Sequence, residues 1–249
     1  MDYKYQGIIL NKKDIAEVDR IYTIYTQEAG KIKVIGKGVR KPNAKLAGNL
    51  EPITAAEIFV AKSRGMGKVT GAIPINIFSR IKSELDALHR VFYVFRLIER
   101  LIPEQEKDEK IFKLFLSYLN ELEKQETGNG KIDILTLGFL FKLLDELGYR
   151  LEAGRCVRCE KKLAPENNYF SIARGGILCR HCAAKETRRI KVNSQAVKLI
   201  RIFLSNKLEN FVKLQVSSTD INYLKAVINE SANWLAESPK MFDNFTKIL

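Results

Sequence analysis

The stretch RIYTIYTQEAGKIKVIGKG, residues 20–38, decides the fold of the first part of the chain. Two runs rich in β-branched and aromatic residues flank a Glu-Ala-Gly segment, which predicts two strands joined by a turn. In the second strand Ile32 and Val34 alternate with two lysines. Because side chains alternate along a strand, one face is expected to be apolar and the other basic.

Three further runs of the same character surround this pair, at residues 5–10, 53–62 and 68–75. Five short strands in succession, with little helical periodicity between them, predict a small closed barrel. We therefore expect residues 1–80 to form a nucleic-acid-binding domain of the OB type.

From residue 81 onward the apolar spacing changes to that of amphipathic helices. Apolar side chains recur at steps of three and four between residues 79 and 103, and Pro103 is expected to end this first helix. Four later segments have the same periodicity: 111–122, 137–147, 194–207 and 218–237. The predicted fold class is α+β, with a helical domain over residues 81–249 and a small module inserted at residues 154–190.

Charge is the strongest compositional signal. The chain has 42 lysines and arginines against 29 aspartates and glutamates, a formal net charge of +13. Such an excess indicates polyanionic partners, either nucleic acid or an anionic membrane surface. The sequence has no run of about 18 apolar residues and no signal-peptide pattern at its start. We expect a cytoplasmic, nucleoid-associated protein.

Much of the positive charge falls in one segment, KIKVIGKGVRKPNAKL, residues 31–46. It contains no acid and six cations: Lys31, Lys33, Lys37, Arg40, Lys41 and Lys45. Its glycines and proline turn the strand into a loop where such a barrel carries its ligand. We predict that these six side chains are unpaired and contact a nucleic-acid backbone; the alternative is an ordinary solvated face.

Three aromatic residues near this segment are candidates for stacking on bases, namely Tyr22, Tyr25 and Phe59. Aromatic rings on the strands of an OB barrel commonly stack on unpaired bases. A place in the barrel core is the alternative for each.

All four cysteines of the chain lie in the inserted module as two Cys-x-x-Cys pairs, Cys156 with Cys159 and Cys179 with Cys182. The 19 residues 160–178 separate the pairs, a spacing typical of a four-cysteine zinc site. A two-residue gap lets one turn supply two sulfurs to a tetrahedral ion. We predict one structural zinc ion; the alternative is four ordinary buried thiols. His181 is expected to be exposed or to lie beside the site.

The sequence offers no catalytic motif. RGMGKVTG, residues 64–71, does not match the phosphate-binding loop. That pattern requires a glycine where Lys62 stands and a serine or threonine where Val69 stands. His89 lies within an apolar helical pattern and is expected in the core or at its boundary. The sequence has no recognisable serine elbow or paired-carboxylate site, so we predict a binding protein rather than an enzyme.

The N-terminal segment from Gly7 to Thr54 resembles the barrel of the RecO family of recombination mediator proteins. The residues that carry the resemblance lie in order along the segment: Asp19-Arg20, Gly30-Lys31, Lys37 to Arg40, and Leu46 to Pro52. Residues 137–159 and 175–182 resemble the helical region and the zinc module of the same family. The likeness covers nearly the whole chain, although the helices after residue 194 match only in general character.

The resemblance implies a function beyond what composition shows. RecO proteins bind single- and double-stranded DNA, anneal complementary strands and act with RecR. They thereby help to load RecA on DNA coated by single-strand binding protein. By this likeness the barrel binds DNA and faces RecR, and the helical domain offers a pocket to the acidic tail of single-strand binding protein. Two alternatives remain open: an RNA-binding or translation-associated zinc protein, and a non-catalytic module of a nucleic-acid enzyme.

Overall fold

The structure, a computed structural model, describes residues 2–62, 65–126 and 130–235. Parts of the predicted turn at residues 63–67, of the predicted break at 127–130 and of the last predicted helix lie outside these ranges. The chain divides into two compact units, Met1–Glu123 and Lys124–Leu249. The predicted domain division at residue 80, which follows the change of periodicity, stays a prediction.

Five strands close into a barrel, as the period-two pattern predicts. They are Asp2–Asp14 (β1), Arg20–Thr26 (β2), Gly30–Gly36 (β3), Thr54–Ala61 (β4) and Gly67–Asn76 (β5). Their order around the barrel is β1-β2-β3-β5-β4, with β3 and β5 parallel and the other neighbours antiparallel. Alternate side chains fill the interior, among them Ile9, Ile24 and Ile58. The α+β class with an OB-type barrel is confirmed.

In its described residues, the first unit also contains four helices: Leu46–Asn49 (α1), Ser79–Ser83 (α2), Leu85–Leu101 (α3) and Glu109–Glu123 (α4). The single helix predicted from residue 79 to Pro103 is wrong, because Glu84 is extended, at φ −106° and ψ 111°, and separates α2 from α3. The carboxylate of Glu123 accepts the backbone N–H groups of Arg80 and Ile81 at 2.9 and 3.0 Å. This capping ties the start of α2 to the end of α4.

The outer face of β2 is covered by helices of the same unit. The ring of Tyr25 lies 6.2 Å from the rings of both Phe112 and Phe115, and Phe95 meets Phe115 edge to face at 5.5 Å. Aromatic clusters of this kind bury large apolar areas. The barrel is therefore packed on both its inner and part of its outer surface.

The second unit is built on helix Lys131–Glu146 (α5), which packs against Ser194–Ser205 (α7), the 3₁₀ helix Leu208–Lys213 and Ser218–Leu235 (α8). Gly138 of α5 lies under Phe211, and a Cβ there would approach the ring to 2.3 Å. Between α5 and α7 lie Asn168–Ser171 (β6), Gly176–Leu178 (β7), Arg180–Ala183 (α6) and Ile190–Val192 (β8). This segment is an insertion between two packed helices.

Over residues 2–62, 65–126 and 130–235, none of the helices combines the length and hydropathy needed to cross a membrane.

Candidate nucleic-acid interface and metal centre

The segment after β3 forms a surface loop, residues 37–45, which we call the basic loop. Four of its side chains are exposed cations: Lys37, Arg40, Lys41 and Lys45. Val39, which is 3% exposed, inserts into the barrel core and anchors the loop. The buried valine holds the loop against the barrel, and the cations on either side of it face the solvent.

A carboxylate from outside the predicted segment organises the basic loop. Asp19, immediately before β2, accepts the backbone N–H of Gly38 at 2.8 Å and pairs with the Lys37 Nζ at 2.9 Å. Gly38 has φ +66°, the left-handed region that glycine adopts readily. The hydrogen bond from Lys37 and then that from Gly38 lower the pKa of Asp19. The carboxylate thus stays ionised beside the loop.

Arg40 connects the basic loop to the end of β1. Its guanidinium lies 3.5 Å from the carboxylate of Asp14 and donates to the carbonyl of Ala16 at 3.2 Å, while its backbone N–H donates to the carbonyl of Val18 at 3.0 Å. Asp14 also accepts from Arg20 at 2.7 Å, and this hydrogen bond is the main reason that its pKa is lowered. Two acids therefore hold two of the loop cations.

The expectation of six unpaired cations is wrong. Lys31 is buried, at 7% exposure, and its Nζ donates to the backbone carbonyl of Glu99, so it offers little surface to a phosphate. Lys33 forms an ion pair with Glu104 at 2.5 Å. The outer face of β3 is not a freely exposed basic face, because the segment after α3 covers its start: Gln105 donates its N–H to the carbonyl of Lys31 at 2.8 Å.

The paired cations of the basic loop keep access to solvent. Lys37 and Arg40 are 56% and 38% exposed in their side chains, so each keeps solvent-accessible surface that a phosphate can approach. Within the described residues, Lys41 and Lys45 form no ion pair with a carboxylate.

Two of the three candidate stacking residues are buried and so cannot stack on bases. Tyr22 and Tyr25 are fully buried, Tyr22 in the barrel core and Tyr25 under α4, and burial raises the pKa of Tyr25. Both are therefore wrong as a stacking platform. Phe59 is partly buried. Nothing in the sequence of β2 distinguishes a tyrosine covered by a helix from one that faces a ligand.

The four cysteines are brought together as predicted. Their sulfur atoms all lie within 4.8 Å of one another, and the sulfurs of Cys159 and Cys179 are 3.9 Å apart. The first pair lies on a turn closed by the N–H of Glu160 and the carbonyl of Cys156 at 2.8 Å. The second pair spans the start of α6, with Cys179 preceding its first residue.

This donor set fits a tetrahedral metal ion. Zinc–sulfur bonds of about 2.3 Å give sulfur–sulfur edges of about 3.8 Å, close to the observed separation. Burial opposes ionisation of Cys156, but backbone N–H groups, first that of Cys179 at 3.4 Å, outweigh it and lower the pKa to about 6. For Cys182, burial and then the neighbouring thiols raise the pKa. The four cysteines are therefore not all ionised together unless a cation neutralises the thiolates.

Both histidines are exposed. His181 agrees with one of its two predicted placements. The expectation that His89 lies in the core or at its boundary is wrong, because it falls on the outer face of α3.

Several arginines of the inserted module form contacts within the module or with α8. Arg174 pairs with Glu186 at 2.7 Å and Arg188 with Glu230 at 2.6 Å. Arg189 donates to the carbonyl of Ala183 at 2.6 Å and lies over the ring of Tyr169. Other cations remain exposed at its surface: Arg155, Arg158, Lys161, Lys162, Arg180 and Lys185. Some cations of the module are thus engaged in structural contacts, and others are exposed at its surface.

Comparison with known proteins identifies the family. Models described as "Recombination protein O N terminal" and "Recombination protein O C terminal" match residues 1–78 and 82–241. A DNA repair protein RecO of Dehalococcoides mccartyi (strain 195) is 33% identical over 95% of this chain and 91% of its own length. One of Roseiflexus sp. (strain RS-1) is 31% identical over 86% and 74%, and one of Acetivibrio thermocellus 26% identical over 100% and 96%. The resemblance drawn from the sequence is thereby confirmed, and the chain belongs to the RecO family.

Proposed function

We propose that this protein is a DNA-binding recombination mediator in DNA repair and that it works by binding rather than by catalysis. The observation that carries the proposal is the 33% identity to a DNA repair protein over 95% of the chain. In this proposal it binds single- and double-stranded DNA and anneals complementary strands. Together with RecR it helps to load RecA on DNA coated by single-strand binding protein, whose C-terminal tail it binds.

The basic loop supports the DNA-binding part of this proposal. Lys37, Arg40, Lys41 and Lys45 are exposed on one loop of an OB-type barrel, where cations neutralise the phosphates of a bound strand. Such contacts do not distinguish sequences, because the phosphate backbone is the same at every step. Lys31 is buried and is left out of this interface, whereas Lys33, which is 47% exposed beside Glu104, stays a proposed contact outside the basic loop.

Annealing brings two like-charged strands together, so it requires a surface that screens both. The basic loop is one such region, and the free cations of the inserted module are a second. The zinc ion in this proposal has a structural role: the four sulfurs close its coordination and leave no position for water. The proposed place of action is the cytoplasm, at the nucleoid.

A strand-annealing assay tests the function directly. Complementary oligonucleotides are mixed with the full-length protein, with and without RecR and single-strand binding protein, and duplex formation is followed by fluorescence energy transfer. We expect the protein to accelerate annealing, and the Lys37→Ala/Arg40→Ala/Lys41→Ala variant to lose most of that acceleration. A Lys4→Ala/Lys110→Ala/Lys113→Ala variant, which removes three exposed lysines elsewhere on the same unit, is the control.

Two results would overturn the proposal. One is a wild-type protein that leaves the annealing rate unchanged. The other is a protein that binds RNA much more tightly than single-stranded DNA in a direct competition, which favours the RNA-binding alternative.

A further inference from the structure

The barrel has a cavity of about 740 Å³ at the end where β1 and β5 begin. This volume lies within the range of about 300–1,000 Å³ that is typical of ligand sites. Its apolar floor includes Ile32, Val34 and Val60, whose side chains border or belong to the barrel core. The basic loop does not line it, so the cavity is separate from the proposed phosphate contacts.

Two parallel aromatic rings line this cavity. Tyr3 and Tyr5, two residues apart on β1, have ring centroids 6.1 Å apart and planes only 8° from parallel. They pair across the sheet with Val60 and Ile58, which are buried in the core, so both rings lie on the inward face of β1. Each tyrosine is only partly buried, which leaves ring surface available to a ligand.

Charged groups frame the rings. The Nζ of Lys62 lies over the Tyr3 ring, 5.5 Å from its centroid, and Lys33 and Lys107 are further cations on the lining. Two acids of the lining are already engaged: Glu28 accepts the backbone N–H of Gln6 at 3.0 Å, and Glu104 pairs with Lys33. Cations beside flat rings form the combination that binds single-stranded nucleic acid, in which rings stack on bases and cations contact phosphates.

We propose that this cavity binds unpaired bases of single-stranded DNA, which stack on Tyr3 and Tyr5 while Lys62 contacts the adjoining phosphate. The proposal rests on the proposed DNA-binding function and adds a cause for strand preference. Bases of a duplex are paired and stacked on one another, so their faces cannot enter the cavity. The basic loop would then bind both forms of DNA, and the cavity only single strands.

The test compares a fluorescein-labelled thymidine oligonucleotide with a duplex of the same length. We expect a Tyr3→Leu/Tyr5→Leu variant to bind the oligonucleotide at least about tenfold more weakly, from the usual worth of base–aromatic stacking, and the duplex as the wild type does. A Tyr3→Phe/Tyr5→Phe variant keeps the rings and should retain the affinity. The control is Tyr149→Leu, which removes a 46% exposed tyrosine outside the barrel.

A second measurement needs no variant that is at risk of misfolding. An oligonucleotide with a single 2-aminopurine has a fluorescence that stacking quenches, and we expect the wild-type protein to quench it and Lys62→Gln to quench it less. Unchanged 2-aminopurine fluorescence, or equal losses of single-strand and duplex affinity in the leucine variant, would overturn the cavity proposal and leave the proposed function standing. A wild type that binds neither form of DNA would overturn the proposed function itself.

Discussion

The metal centre and the basic loop take their partners from similar distances along the chain, but only the cysteines carry a repeated sequence motif. Each cysteine pair is formed within one turn, and the two pairs come from one short module, so their spacing alone predicts the site. The basic loop contains no acid, and its partners Asp14 and Asp19 come from the other side of β2. A repeated motif therefore reveals the metal site before the fold is known, whereas no motif in the sequence assigns Asp14 and Asp19 to the cations of the basic loop.

The largest expected effect is at the metal centre. Cys156→Ser should lose the ion, because the residue is 1% exposed in the centre of the module's small core. Structural zinc sites in small peptides are worth about 10–16 kcal/mol, so the module should lose its order. Metal content of the purified protein and limited proteolysis within residues 154–190 are the measurements.

His181→Ala is the matched control, because that side chain is exposed and lies between two ligands. It should retain one metal ion per chain. If Cys156→Ser binds zinc with unchanged stoichiometry and resists proteolysis like the wild type, the four-sulfur site is wrong.

The next effect tests whether the start of β3 is covered. Gly30 has φ +65°, and a Cβ there would lie 1.9 Å from the carbonyl oxygen of Glu106. We expect Gly30→Ala to lower the free energy of unfolding by roughly 3 kcal/mol, the sum of backbone strain and overpacking. Urea unfolding is the measurement.

Gly38→Ala is the comparison for this change. Gly38 has nearly the same φ, +66°, but a Cβ there would meet only the Lys41 side chain at 3.7 Å. Gly38→Ala should lower the free energy of unfolding by only about 1 kcal/mol. Equal losses in the two variants would show that residues 104–106 do not press on the β2–β3 turn.

The sequence predicts the helices and strands better than it predicts which of them pack against one another. All five strands and the helices α4, α5, α7 and α8 follow from the period of apolar residues, because that period depends on local geometry. The burial of Lys31 and Tyr25 does not follow from this period, since it requires that residues 99–115 pack on the barrel. The break at Glu84 does not follow from the pattern either, because the apolar spacing continues across it. The short strands β6, β7 and β8 carry too few residues for a periodicity to appear.

The third prediction concerns the salt dependence of DNA binding. With four cations of the basic loop in contact with phosphates, the slope of log affinity against log salt should be about −3 for a single strand. The sequence alone, with six cations, predicts a slope of about −4. The slope for the Lys37→Ala/Arg40→Ala/Lys41→Ala variant should be only about −1, measured by fluorescence anisotropy between about 50 and 200 mM salt.

The Lys110→Ala/Lys113→Ala variant removes two exposed cations of α4 and serves as the control for this slope. It should match the wild type. A triple variant of the basic loop with the wild-type slope would place the phosphate contacts elsewhere on the protein.

The smallest expected effect separates the two tasks of Asp19. Asp19→Asn keeps an oxygen for the Gly38 N–H but frees Lys37 from its ion pair, so DNA affinity should rise a few-fold, while the salt slope stays at about −3 because the number of phosphate contacts is unchanged. Asp19→Ala also removes the acceptor for Gly38, which loosens the basic loop, and it should lower the affinity instead. If both variants behave alike, the backbone contact does not organise the loop.

The pH dependence of stability gives an independent check on Asp19. Because the fold lowers the pKa of Asp19, its carboxylate stabilises the protein above the unfolded-state pKa of about 3.9. That contribution is lost as the pH falls through the lower folded-state pKa. The thermal stability of the wild type should therefore exceed that of Asp19→Asn at about pH 7, and the difference should shrink below about pH 4. A difference that stays constant from neutral pH to about pH 2 would mean that the ionised carboxylate contributes nothing to holding the basic loop, and that the backbone contacts of Gly38 and Arg40 suffice.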